Sequence, residues 1–164
     1  MIDRDGFRPN VGIVISNHER KLFWARRVGR NAWQFPQGGI HDDETVEQAL
    51  FRELNEEVGL EQSKVEVLGK TKDWYKYRLP EQYQRQNQRP LCIGQKQQWY
   101  LLRFHGDDSD IKLTAGETPE FDDWQWVDFW HPLDVVIFFK RDVYQQVLNE
   151  LGEILYPEGL PGKT

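Results

Sequence analysis

The segment from Gly38 to Leu60, GGIHDDETVEQALFRELNEEVGL, constrains this 164-residue chain more than any other. Read as an ideal helix over Thr45–Val58, at about 100° per residue, it sets Val46, Ala49, Leu50, Leu54 and Val58 on one apolar arc. Glu53 and Glu57 fall inside that arc and Glu56 at its edge, while Gln48, Arg52 and Asn55 hold the polar side. Three carboxylates therefore emerge on or beside the face that must meet the protein. Burying charge without compensation is very costly. At the effective dielectric of partly buried sites, two carboxylates about 4 Å apart repel by roughly 4 kcal/mol. A cation resolves the conflict, and an all-oxygen donor set favours a hard divalent ion, Mg²⁺ or Mn²⁺. The rival reading of such a triplet is a solvated charged face, and the helical phase argues against it. The flanks fix where the acidic end arrives. Thr45 with Gln48 forms a capping box, and Asp42, Asp43 and Glu44 gather at the positive helix N-terminus. Gly59 suits the left-handed residue after the last turn, with Leu60 the hydrophobic contact beyond it.

The same stretch resembles the Nudix box, G-x5-E-x7-R-E-U-x-E-E-x-G-U with U a bulky aliphatic residue. Gly38, Glu44, Arg52, Glu53, Leu54, Glu56, Glu57, Gly59 and Leu60 match it without departure. The resemblance implies a loop–helix–loop that holds divalent metal for hydrolysis of a nucleoside diphosphate linked to another group. It implies that Glu53, Glu56 and Glu57 are metal ligands, with Glu53 and Glu57 catalytic. Structural roles follow for Gly38, Glu44 and Gly59, and an orienting ion-pair role for Arg52. The implied ion is Mg²⁺, with Mn²⁺ or Zn²⁺ as substitutes.

The chain is long enough for one domain with a real core, and seven Trp, nine Phe and six Tyr supply the apolar surface for it. A lone cysteine, Cys92, excludes an internal disulfide and fits a reducing compartment. The N-terminus lacks a basic region followed by an apolar run, and the longest purely apolar run, Val135–Phe139, is far too short for a membrane span. A cytoplasmic protein without a membrane partner is expected. A net charge of −6 argues against tight non-specific binding to long duplexes. Local bases at Arg26, Arg27 and Arg30, Lys70–Arg78, Arg85, Arg89 and Lys140–Arg141 could still line a site for polyphosphate or a few nucleotides.

Ahead of the box, Arg8–Ser16 and Lys21–Val28 read as two strands of a hairpin, and Pro36 limits AWQFPQGGI to a short edge piece. After it, Lys64–Tyr77 reads as one bent strand or two short ones, Leu91–His105 and Phe121–Trp130 as strands, and Pro80–Pro90 and Gly106–Pro119 as loops. Pro132 opens a short helix, and Val143, Val147, Leu151 and Leu155 make Arg141–Leu155 an amphipathic one. The architecture expected is a single α/β domain, a mixed sheet with one helix on each side. That agrees with the α/β/α sandwich the resemblance implies over residues 6–150, leaving 151–164 as a helix end and frayed tail.

No Walker lysine loop and no defensible Ser-His-Asp order is present. His18, His41, His105 and His131 lack zinc-type spacing. Acidic residues ahead of the Trp124–Trp126 strand include Glu117, Glu120, Asp122 and Asp123. Glu120 matches the position where relatives carry an additional ligand or general base, and a solvated loop residue is the other reading. Glu117, Asp122 and Asp123 read as a solvated acidic loop.

FRPNVGIVI, WQFPQGGI, CIGQKQ, TPEFDDWQWV and FKRDVY together resemble the bacterial RNA pyrophosphohydrolases, which remove pyrophosphate from the 5′-triphosphate end of RNA and trigger its decay. Dinucleoside polyphosphate hydrolases share WQFPQGG and a tyrosine at the place of Tyr77, so diadenosine tetraphosphate-type compounds are the alternative substrate. The resemblance makes Arg8 a phosphate contact and Arg27, Phe139 and Lys140 holders of an early nucleotide base by stacking and cation–π contact. Gln37, Gly38, Gly39, Tyr77 and Gln95 become lining. A third reading, a Nudix-like module that binds nucleotides without turnover, sits poorly with a box that keeps every glutamate. Protein partners are not legible.

Overall fold

A strand whose run Val11–Ile15 is apolar apart from Gly12 must bury both of its faces. In the computed structural model, which describes residues 2–87, 89–114 and 116–163, that run lies in β1 (Phe7–Ser16), buried from Asn10 onward. β1 runs parallel to β7 (Gly94–Phe104), from Phe7 opposite Gly94 to Ser16 opposite Arg103. β5 (Val65–Lys70) and β6 (Tyr75–Arg78) are two separate strands, both antiparallel to β7.

The expected hairpin of β1 and β2 (Leu22–Arg27) is closed only at its mouth, where Ser16 pairs with Leu22. The remaining edge of β1 is taken by the chain around Pro36. β4 (Gln37–Gly39) pairs with Asn10–Gly12, and the Ile13 N–H donates to the Pro36 carbonyl at 2.9 Å. β2 turns instead to β3 (Trp33–Gln34) and β8 (Phe121–Val127). Pro36 thus splits its segment into two short strands, as a residue without a ladder donor must.

The mixed eight-stranded sheet carries one long helix layer on each side. On one face α1 (Val46–Glu53) and the turn after it bury Ala49, Leu50, Leu54 and Val58 against Val11, Ile13, Ile15, Tyr100, Leu102 and Phe104. On the other, α3 (Arg141–Leu155) buries Val143, Tyr144, Val147, Leu148 and Leu151 against Val14, Trp24, Trp99 and Leu101. A short α2 (His131–Val135) carries Pro132 in its first turn. Residues 156–163 of the tail expected to be frayed lie back on the domain, and Thr164 falls outside the described residues. Trp130 Nε1 donates to the Pro161 carbonyl at 2.6 Å, Arg20 pairs with Glu158, and the Arg20 guanidinium sits 4.5 Å from the Tyr156 ring centre. Apolar Leu160 seats over bare Gly152, which a polarity reading of YPEGLPGKT misses. No helix among the described residues is long and apolar enough to cross a membrane.

Candidate active site

Thr45 starts α1 as the sequence requires. Its Oγ1 accepts from the Gln48 N–H at 3.1 Å, and its own N–H donates to Gln48 Oε1 at 2.8 Å. The helix does not continue as an ideal α-helix to Val58. It is α-helical to Glu53 and becomes one π-turn over Leu54–Val58. An outside donor supports this wider turn: the Lys112 N–H reaches the Val58 carbonyl at 2.8 Å. Gly59 closes it at φ +74°, in the left-handed region. Three carboxylate oxygens, one each from Glu53, Glu56 and Glu57, lie within 4.8 Å of one another.

Glu53 is only 7% exposed, and its carboxylate occupies the space beside Gly38. A Cβ on residue 38 would fall 2.0 Å from Glu53 Cδ, so only glycine fits there. Arg52 locks the arrangement. Its Nη1 donates to Glu53 Oε1 at 2.8 Å and reaches Glu56 Oε2 at 3.4 Å; its Nη2 donates to the Gly39 carbonyl at 2.7 Å and to Glu44 Oε1 at 2.6 Å; its Nε donates to Glu44 Oε2 at 3.1 Å. The guanidinium holds the Glu44 carboxyl down at about 2. One fork therefore ties the loop, the helix and the acidic cluster together.

Burial pushes the Glu53 carboxyl up, although the bond to Arg52 opposes it. Glu57 is pushed up to about 8, first by burial and then by the charges of Glu53, Glu120 and Glu56. Glu57 Oε2 is buried and has no hydrogen-bond partner. A buried acceptor left orphaned beside two other carboxylates is a donor set that a hard divalent cation fits. Glu120 joins this cluster electrostatically and stands 3.7 Å from Arg27 Nε. Its carbonyl accepts from the Val28 N–H at 2.9 Å, which anchors it at the start of β8. The neighbouring acids do other work. Asp122 binds Arg26 Nε at 2.8 Å and the Gly29 N–H at 3.0 Å, Asp123 accepts from the Trp124 N–H, and Glu117 is exposed.

Next to Gly38, Gln37 leads away from the carboxylates. Its Nε2 donates to Tyr77 Oη at 3.2 Å, and its Oε1 accepts from Lys140 Nζ at 3.2 Å. Lys140 also donates to Gln34 Oε1 at 3.2 Å and lies 5.7 Å from the Tyr77 ring centre. Burial, with Arg27 nearby, lowers the Lys140 ammonium to about 8, and Glu120 opposes that shift. Lys140 is therefore an internal cation braced by two amide oxygens. Phe139 is half-buried between Tyr77 and Tyr83, at centroid distances of 5.9 and 5.1 Å. The aromatic turned outward is Phe138, 67% exposed. Phe138, Tyr83 and Gln34 went unnoticed in the sequence, where nothing marks which phenylalanine of FFK turns inward.

On the other side of Glu53 a cleft of roughly 690 Å³ runs past Arg8, Gly39, His41 and Arg89. Gln95 lies opposite both Arg8 and Tyr77 across β7, and its Oε1 is buried without a partner. The site is thus a cluster of three carboxylates, with Glu120 acting on it electrostatically, rimmed by Arg8, Arg27, Lys140 and aromatic rings. Such a cluster and rim suit a polyanion whose charge is met partly by protein and partly by cation.

A family model described as NUDIX domain matches residues 6–147. The RNA pyrophosphohydrolase of Alkalilimnicola ehrlichii is 60% identical over 161 residues, covering 98% of this chain and 89% of that protein. The RNA pyrophosphohydrolase of Haemophilus influenzae is 51% identical over 161 residues, covering 98% and 82%. Among solved structures, E. coli dihydroneopterin triphosphate pyrophosphohydrolase is similar with a TM-score of 0.68 at 19% identity, covering 87% of this chain and 98% of that one. A C. elegans Ap4A hydrolase is similar with a TM-score of 0.64 at 14% identity, covering 90% and 98%. At such identities these two speak for the fold alone.

Proposed function

The chain belongs to the Nudix family, and from that premise we propose that it hydrolyses the 5′-triphosphate end of RNA to a 5′-monophosphate and pyrophosphate. The observation that carries this reading is the identity of 51–60%, over nearly the full chain, to proteins named RNA pyrophosphohydrolase. The site's chemistry supports it: acids grouped for a cation lie near basic residues suited to phosphate.

Glu53, Glu56, Glu57 and Glu120 would hold divalent metal, Mg²⁺ by preference, which when bound would supply charge for phosphate oxygens and a water of lowered pKa. Arg52 fixes the direction of the Glu53 carboxylate. Glu120 accepts the proton of the attacking water, and Arg8 and Arg27 carry the phosphate charge. Gln37, Tyr77, Gln95, Phe139 and Lys140 shape the wall against the first nucleotides, with exposed Phe138 the open stacking surface beside them. In this reading the monophosphorylated product feeds RNA decay, and the protein works in the cytoplasm.

A competition tests this reading. The protein and Mg²⁺ are given equal amounts of a short 5′-triphosphorylated RNA and diadenosine tetraphosphate, and both products are followed. Preferential conversion of the RNA is expected, with Glu57→Gln slower by at least about a hundredfold. Preference for the dinucleotide would move the function to nucleotide clearance, and an unchanged rate in Glu57→Gln would sink the metal assignment.

A further inference from the structure

β6 and β7 set Lys76 directly opposite Lys96. Like charges facing each other across an antiparallel pair weaken it, so local stability does not explain the placement. Nor does the chain's overall charge, which is acid-rich at −6. Lys96 meets Asp3 at 3.0 Å, whereas Lys76 makes no ion pair among the described residues. Each ammonium rides over an aromatic ring: Lys76 Nζ lies 5.1 Å from the Phe7 centroid and Lys96 Nζ 5.6 Å from that of Trp74. Along β6 the alternate residues serve the other face. There Tyr75 binds Glu150 of α3 at 2.6 Å, and Tyr77 faces Gln37 and Lys140. Trp74, Lys76 and Lys96 therefore share the face away from α3, and Trp74 keeps 39% of its surface open.

This patch neighbours the acidic cluster. Ile2 lines the cleft that also holds Arg8 and Glu53, and the next residue, Asp3, is the partner of Lys96. Basic and aromatic side chains interleaved beside a phosphate-binding site are the pattern that holds a single strand. Ammonium groups track its phosphates, and an indole accepts an unpaired base.

We propose that the Phe7–Trp74–Lys76–Lys96 strip holds the single-stranded RNA downstream of the 5′ end engaged at the carboxylates. The inference rests on the RNA-end reading of the site and extends it to a second contact region. It predicts that RNA length and ionic strength govern KM, through residues remote from the reacting phosphates.

The test uses two variants that leave the Asp3–Lys96 pair intact, Lys76→Gln and the double variant Trp74→Ala, Lys76→Gln. Steady-state constants are measured on a 5′-triphosphorylated dinucleotide and on a single strand of about twelve nucleotides, long enough to reach past the site. For the double variant, KM on the long RNA should rise about tenfold with kcat unchanged, the loss expected for one stacking and one phosphate contact. Constants on the dinucleotide should not move. Separately, fluorescence anisotropy of a twelve-nucleotide RNA with a 5′-hydroxyl end reads the strip without the triphosphate. Its slope of log affinity against log salt should fall by about one in Lys76→Gln. Equal effects on short and long substrates, an unchanged salt slope, or equal competition by a duplex of the same length would each overturn the proposal. If the wild-type protein cleaves neither substrate, the RNA-end reading fails by itself, and the anisotropy series still decides the strip. Lys76→Gln replaces one exposed side chain, so the decision does not depend on the tolerance of the double variant.

Discussion

Two adjacent glycines, Gly38 and Gly39, call for opposite outcomes on replacement by alanine. In Gly38→Ala the new methyl would lie 2.0 Å from Glu53 Cδ and 2.2 and 2.4 Å from its two oxygens. Ordinary contact requires about 3.5 Å, so carboxylate and methyl must part by roughly 1.5 Å. The carboxylate has little room to yield, being 7% exposed and held at 2.8 Å by Arg52 Nη1. A displacement of about 1 Å in a reacting constellation lowers rates by about a hundredfold. Gly38→Ala should therefore lose about two orders of magnitude in kcat with KM little changed. It should also melt earlier, because the charge-assisted Arg52–Glu53 bond, worth about 1.5–3 kcal/mol, is strained or broken. At residue 39 the nearest atom to an added Cβ is Arg8 Cδ at 4.0 Å, an ordinary contact. Gly39→Ala should keep kcat and melting temperature near wild type. Steady-state kinetics across a Mg²⁺ titration, with thermal melts of both variants, reads all of this. A Gly38→Ala enzyme within threefold of wild type in kcat, or a Gly39→Ala enzyme equally impaired, would refute the placement of the Glu53 carboxylate as the quantity that matters.

Two further outcomes follow from the same geometry. In the metal-free protein Glu57 titrates at about 8 in the folded state, against 4.5 when unperturbed. Between those values the folded chain holds a proton that the unfolded chain releases. Stability from this group is thus complete below pH 4.5 and lost as pH rises through 8. Melts in EDTA should show Glu57→Gln gaining on wild type between pH 5 and pH 9, values chosen about those two pKa positions; a constant gap would contradict it. Tyr144→Phe removes the hydroxyl that accepts the buried Phe35 N–H at 3.0 Å. Denaturant unfolding should show a loss of about 1–3 kcal/mol with kcat unchanged, and no loss would mean that water takes over the donor.

What could be read from the chain was local. The capping box at Thr45, the left-handed Gly59 and the apolar spacing of Arg141–Leu155 each lie within a few residues, and each appears as expected. Convergence of Glu53, Glu56 and Glu57 followed from helical phase, even though the last turn is π and not α. That turn escaped notice because its support comes from Lys112, a long way along the chain. Strand partners were invisible for a related reason. An apolar run such as Val11–Ile15 announces burial on both faces and says nothing of its neighbours, so the obvious hairpin was expected along the edge that β4 takes, and the parallel ladder with β7 on the other edge went unseen. Lys140 is a third instance. Its burial depends on Gln34 and Gln37, two amides that carry no distinguishing pattern in WQFPQGG.

The parallel ladder has a kinetic consequence. Phe7 finds its register only against Gly94, and Ser16 only against Arg103. During synthesis β1 therefore leaves the ribosome long before its principal partner exists, and the Ser16–Leu22 pair with the short β4 pairing gives it only partial shelter. Contacts that must wait for a long loop to close form slowly. The helix that carries the acidic cluster packs on this same strand through Val11, Ile13 and Ile15. The acidic cluster can thus assemble only after the middle of the sheet has closed, and a nascent chain shorter than about residue 104 should be without a formed site.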